Sequence, residues 1–216
     1  MNNEVPSLIN IALRKLQTEE HNFKTMETLL QAVTVVGTRI LAAVPANWKE
    51  FNGRPWRIDD DEADGGTRIS LAVAADRGDI LPLIGNLEDG GPLALLLSEP
   101  NDEGAANIEV WPLPDGLSLF GDGEYRITVP YYRILPALVN PTDTNWFTTN
   151  AEEYLVSWAT SEAFAIDWDE ERVVFWAQKA ATDKAAAIAA DNRIRVAGMT
   201  NWVPHWKGVR EHKLDL

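Results

Sequence analysis

The chain has 216 residues, enough for one domain, or one domain carrying an insertion, with a true hydrophobic core. Its 33 acidic against 19 basic residues leave a formal charge of −14, so the surface as a whole repels nucleic-acid phosphates and anionic membranes. Cysteine is absent, which excludes disulfides, thiol catalysis and cysteine-based zinc sites.

The first residues, MNNEVPSLINIALRKLQTEE, lack the basic and then apolar pattern of a secretory leader, and no apolar run approaches the roughly 20 residues that span a bilayer. The expectation is a product that stays in the cell that makes it, unless it leaves inside a larger particle. Residues 5–20 predict a helix, with Leu8, Ile9, Ala12, Leu13 and Leu16 on one stripe and Pro6 in the first turn. A second helix is expected over 24–44, where Met26, Leu29, Leu30, Val33, Val36, Ile40 and Leu41 recur at helical spacing and Pro45 stops the run.

From residue 48 the period changes to two. Ile69, Leu71 and Val73 alternate with polar or small neighbours, 93–97 and 108–111 are short apolar runs, and Tyr125, Ile127, Val129 and Tyr131 alternate again. Pro130 pushes the last of these toward a sheet edge, and the loop between the last two suggests a hairpin. The helical period returns after Asn145. Tyr154, Leu155, Trp158, Ala159, Ala163 and Phe164 form one stripe, with Thr149 or Asn150 as N-cap and Glu152 and Glu153 in the first turn. Asp169 caps a further helix that runs to about Ala197 and stops at Gly198. The fold expected is therefore α+β. It is a predominantly α-helical bundle (1–47 and 145–198) with a small antiparallel β insertion (48–144) and an extended C-terminal tail (199–216).

Reactive constellations are scarce. The acidic run 59–66 places Asp60, Glu62, Asp64 and Gly65 on a calcium-loop template, but the position that needs a bidentate Glu is Leu71, so a solvated loop is the simpler account. His21, His205 and His212 are the sole histidines and form no metal motif, and no nucleophile elbow, Walker loop or dinucleotide fingerprint occurs. Asp167, Asp169, Glu170 and Glu171 offer an acid pair for a peptidoglycan hydrolase, although helix capping explains them more simply. Nine tryptophans leave open a carbohydrate-binding module. The expected protein is not an enzyme and needs no cofactor or metal. Beyond residue 192 the charge inverts locally. Arg193, Arg195, Lys207, Arg210 and Lys213 outnumber Glu211 and Asp215, and Trp202 and Trp206 supply apolar anchors, the composition of a docking segment.

One pattern ties the second half together: Trp111-Pro112-Leu113-Pro114, the alternating strand 125–131, the corner Leu135-Pro136-Ala137-Leu138, then Thr144-Asn145-Trp146 opening a helix. Over residues 105–197 it resembles the head-to-tail adaptor, or connector, proteins of tailed bacteriophages. The resemblance implies a structural virion protein at the head–tail junction, made in the host cytoplasm, that binds beneath the portal ring, closes the DNA-filled capsid and provides the attachment site for tail or nozzle proteins. It implies a dodecameric ring on the portal through which genomic DNA passes without specific binding, and no membrane contact. The docking residues are then Arg193, Arg195, Trp202, Trp206, Lys207 and Arg210. The structural corner is Trp111, Leu135, Pro136, Leu138 and Trp146, with the two leucines and Trp146 buried.

Overall fold

The computed structural model of the chain describes residues 4–19, 21–58, 68–84, 89–99, 106–117, 124–140 and 142–200. Its helices are α1 (Glu4–Thr18), α2 (Arg77–Ile84), α3 (Trp146–Asn150), α4 (Glu152–Ile166) and α5 (Glu170–Thr200). Its strands are β1 (Glu27–Val33), β2 (Ile40–Ala43), β3 (Trp48–Phe51), β4 (Trp56–Ile58), β5 (Arg68–Ser70), β6 (Ala72–Ala74), β7 (Ala94–Leu97), β8 (Asn107–Trp111) and β9 (Arg126–Arg133). The chain forms two units, one of Met26–Pro136 and one of Met1–Thr25 with Ala137–Leu216. It is thus a mixed protein with two sheets, which corrects the expectation of a predominantly helical bundle.

The largest departure lies at 24–44. In place of a helix the chain makes a 3-10 turn (Lys24–Met26), then β1 and β2. The helical spacing of its apolar residues also fits a strand, because Leu29, Gln31 and Val33 face out while Leu30 and Ala32 face in. β-Branched side chains at Val33, Thr34, Val35, Val36 and Thr38 decide the matter, since they lose χ1 freedom in a helix and suit a pleat. Gly37, at φ +73°, makes the turn between the two strands.

Two sheets build the Met26–Pro136 unit. One has the order β1-β9-β4-β5 with β3 also on β9; the other has the order β2-β8-β7-β6. They share one hydrophobic cluster, with Ile127 and Val129 from the first sheet against Leu41, Leu95, Ile108 and Val110 from the second. The insertion is not wholly antiparallel. β6 and β7 run parallel, joined by a crossover that contains α2. β8 and β9 lie in different sheets, so the expected hairpin between them does not form. The alternating run 69–73 is divided as well. The buried Leu71 separates β5, in one sheet, from β6, in the other.

β9 is central, with β1 on one side and β3 and β4 on the other, so Pro130 does not mark an edge. The proline is tolerated because it falls where β3 has ended and β4 has not begun. Its carbonyl accepts from the Asn52 N–H, and its missing donor points to the same gap.

In the other unit α4 and α5 form an antiparallel hairpin with α1 packed on α4. Ala12, Leu13 and Leu16 of α1 are buried as the stripe predicts, with Phe147, Tyr154, Leu155 and Ala159. α5 turns small side chains, Ala180 and Ala187, to this core. It continues through Gly198 to Thr200, past the expected stop.

Candidate functional site

The Pro-rich corner is held by side chains on its own unit. Asn10 of α1 donates from Nδ2 to the Leu138 carbonyl and accepts from the Leu138 N–H at Oδ1, both at 2.8 Å. Asp143 closes the following turn by accepting from the Val139 and Asn140 N–H groups, both at 2.8 Å. Those backbone donors, Asn140 first, hold its carboxyl below the usual range. Asn145 then caps α3 in a reciprocal box. Its Oδ1 accepts from the Phe147 and Thr148 N–H groups, and Thr148 Oγ1 accepts from the Asn145 N–H. That box opens α3, whereas α4, for which Thr149 or Asn150 was expected as N-cap, starts from Ala151 with no side-chain cap.

Of the corner residues, Leu135, Leu138 and Trp146 are half-buried, Pro136 is exposed, and the half-buried Trp111 ring carries the Arg39 guanidinium 3.5 Å from its centre. Trp146 packs on Phe23 and Phe147, ring centres 5.4 and 5.3 Å apart. Between α1, the corner and α4 an open groove of about 490 Å³ remains, lined by Pro6, Ile9, Leu138, Val139, Leu155 and Val156 among others.

Asp191 on α5 was not singled out by the sequence, yet it organises the end of that helix. Its side chain is 1% exposed and accepts from the Lys24 N–H at 2.8 Å, from Arg195 Nε at 2.9 Å and from His21 Nε2 at 3.1 Å. Arg195 also donates to the Asn22 carbonyl. Arg195, expected to dock a partner, is thus committed within its own unit, whereas Arg193 is exposed. Trp202, Trp206, Lys207 and Arg210 lie outside the described residues, as does the acidic run 59–66. Two turns further back on α5, Lys184 pairs with Glu19. Burial, and then the Glu19 charge, push the Tyr154 hydroxyl well above its usual range.

The turn between α4 and α5 carries the second feature missed in sequence. α4 ends in a Schellman arrangement, with the Asp169 N–H on the Phe164 carbonyl (3.1 Å) and the Trp168 N–H on the Ala165 carbonyl (3.3 Å). The position that glycine usually takes is Trp168, at φ +57° and 90% exposed. Ile166, Val174 and Phe175, all exposed, complete an apolar tip. Asp169 does cap α5, accepting from the Arg172 N–H at 3.2 Å and pairing with its guanidinium. All seven described tryptophans keep part of the ring in solvent, so none is a fully buried core residue.

Among the described residues no group of three or more His, Cys, Asp or Glu is placed to hold a metal, and no helix is long and apolar enough to cross a membrane. The helical unit thus presents a clamped corner, a polar knot near the end of a long helix and an exposed aromatic turn. The model of one family, SU10 adaptor protein, matches residues 2–202, and the chain belongs to that family of bacteriophage structural adaptors. No curated protein matches the chain. Membership agrees with the resemblance carried by residues 105–197 and places the chain among virion components of the head–tail junction.

Proposed function

We infer that the protein seats beneath the portal ring, closes the filled head and provides the surface on which tail or nozzle proteins assemble. The observation that carries this reading is the family match along residues 2–202, nearly the whole chain. The charge of −14 supports it, since an acidic ring lets genomic DNA pass without adhering. A ring is built from two different complementary faces per subunit, and the exposed apolar tip at Trp168 suits one of them. Docking on the portal falls to the segment after α5, where Trp202, Trp206, Lys207 and Arg210 combine anchors with positive charge. A closed ring engages many such segments at once and so gains by multivalency. Deleting residues 201–216 therefore leaves the thermal transition within a few degrees of the full chain and abolishes decoration of portal rings in negative-stain images. Normal decoration by the truncated protein would move docking onto the helices.

A further inference from the structure

Among the described residues five strands leave one side unpaired, and four of them carry a feature that discourages pairing with another chain. β5 is three residues long and opens on Arg68, β6 is three residues long, β2 has a register break between Ile40 and Ala42, and β3 carries Lys49 and a register break between Trp48 and Glu50. β1 has none. It is seven residues long, regular in register along its whole pairing with β9, free of Lys, Arg and Pro, and charged at Glu27 alone. Leu29 and Val33 are 54% and 43% exposed, and Val35 and Val36 continue the apolar strip.

Backbone direction follows from the register. The Thr34 N–H donates to the Tyr125 carbonyl, so Thr28, Leu30, Ala32 and Thr34 point their amides at β9. Leu29, Gln31 and Val33 point theirs away, and among the described residues those groups make no backbone hydrogen bond. Thr34 fixes the strand further, its buried Oγ1 accepting from the Tyr125 N–H at 2.9 Å. A pre-ordered strand with a free row of donors and acceptors binds another extended segment at little further entropic cost.

We propose that this edge pairs with β1 of a second copy, antiparallel and centred on Gln31, joining two sheets into one across a two-fold axis. β1 itself meets the chemistry the edge requires: extended, of matching length and nearly uncharged. In this register Leu29 faces Val33 of the second copy, Gln31 faces Gln31 so that the two amides bond side by side, and about six main-chain hydrogen bonds form. The charges suit it as well. The two Glu27 carboxylates fall at opposite ends, their backbones about 27 Å apart, several times the screening length of about 8 Å at physiological salt. The remaining repulsion is the long-range field of two chains at −14, which salt screens. An isologous contact closes with two copies, so it is distinct from a ring and stands whether or not the portal reading holds.

Sedimentation velocity of the full chain over 1–200 μM, at low and high sodium chloride, tests this. The expected result is a monomer–dimer equilibrium that shifts toward dimer with salt. Gln31→Pro removes an outward donor and no bond to β9, so it should weaken the dimer about tenfold or more while far-UV circular dichroism stays unchanged. Val33→Lys, which places a charge on the same edge without touching the backbone, should weaken it too. A monomer at every concentration and salt, a dimer indifferent to both substitutions, or assembly straight to larger species would each overturn the proposal.

Discussion

Asp191 shows how much of a surface-looking helix is set by a single buried charge. Its three donors satisfy it, and removing it strands His21 and Arg195 around an empty acceptor. Asp191→Ala should therefore cost about 3 kcal/mol in urea unfolding, whereas Arg193→Ala, on an exposed position of the same helix, should change stability by no more than about 0.5 kcal/mol. No pattern in the sequence announces this difference, because Asp191 and Arg195 read as an ordinary i, i+4 surface pair until His21 and the Lys24 amide arrive from more than 160 residues away. Trp168 makes the opposite case. Left-handed backbone at a bulky residue is strained, and a ring that is 90% exposed recovers nothing from packing in the monomer. Trp168→Gly should stabilise the isolated protein by about 0.5–1 kcal/mol. A loss of stability would mean that the ring packs on its own chain.

At the scale of elements, the 3.6-residue period was a sound guide where helices bury one stripe. α1, α4 and the start of α5 stand close to where the spacing puts them. It misled at 24–44, where apolar residues on both faces of a strand also satisfy helical spacing and only side-chain branching separates the two. Pro130 was read by its local rule, but the break between β3 and β4 is a tertiary fact that no local rule contains. The corner divides similarly: its leucines and prolines are visible in sequence, while the Asn10 clamp spans 128 residues. Phe147, fully buried between Phe23 and Trp146, makes α3 depend on that corner, so Phe147→Ala should cost about 3–5 kcal/mol. The α4–α5 hairpin has an acid-labile tie. Burial alone would raise the Asp183 carboxyl. The Lys179 ammonium at 2.7 Å and the Ser157 hydroxyl at 2.6 Å outweigh it and hold the group below its unfolded value of 3.8. Its stabilisation is complete above that value and is lost as pH falls through the lower folded one. Asp183→Asn should thus flatten part of the fall in melting temperature below pH 4 and leave the slope above pH 6 unchanged.

For the whole molecule, the pattern running from Trp111-Pro112 to Thr144-Asn145-Trp146 carried the resemblance to phage adaptors, and the family match agrees as far as a phage structural adaptor. One unit is assembled from chain segments on either side of the other. That order has a consequence for synthesis. The Met26–Pro136 unit has all its strands as soon as residue 136 leaves the ribosome. α1, made first, must wait for α4, some 130 residues later, before Leu13 and Leu16 have anything to pack against. At translation rates of about 5–20 residues per second the delay is roughly ten seconds. Nascent chains arrested just after residue 136 has emerged should hold a protease-resistant 26–136 core while α1 is still cut. Chaperones that bind apolar helices should then be found at residues 8–16, and should leave once α4 is out.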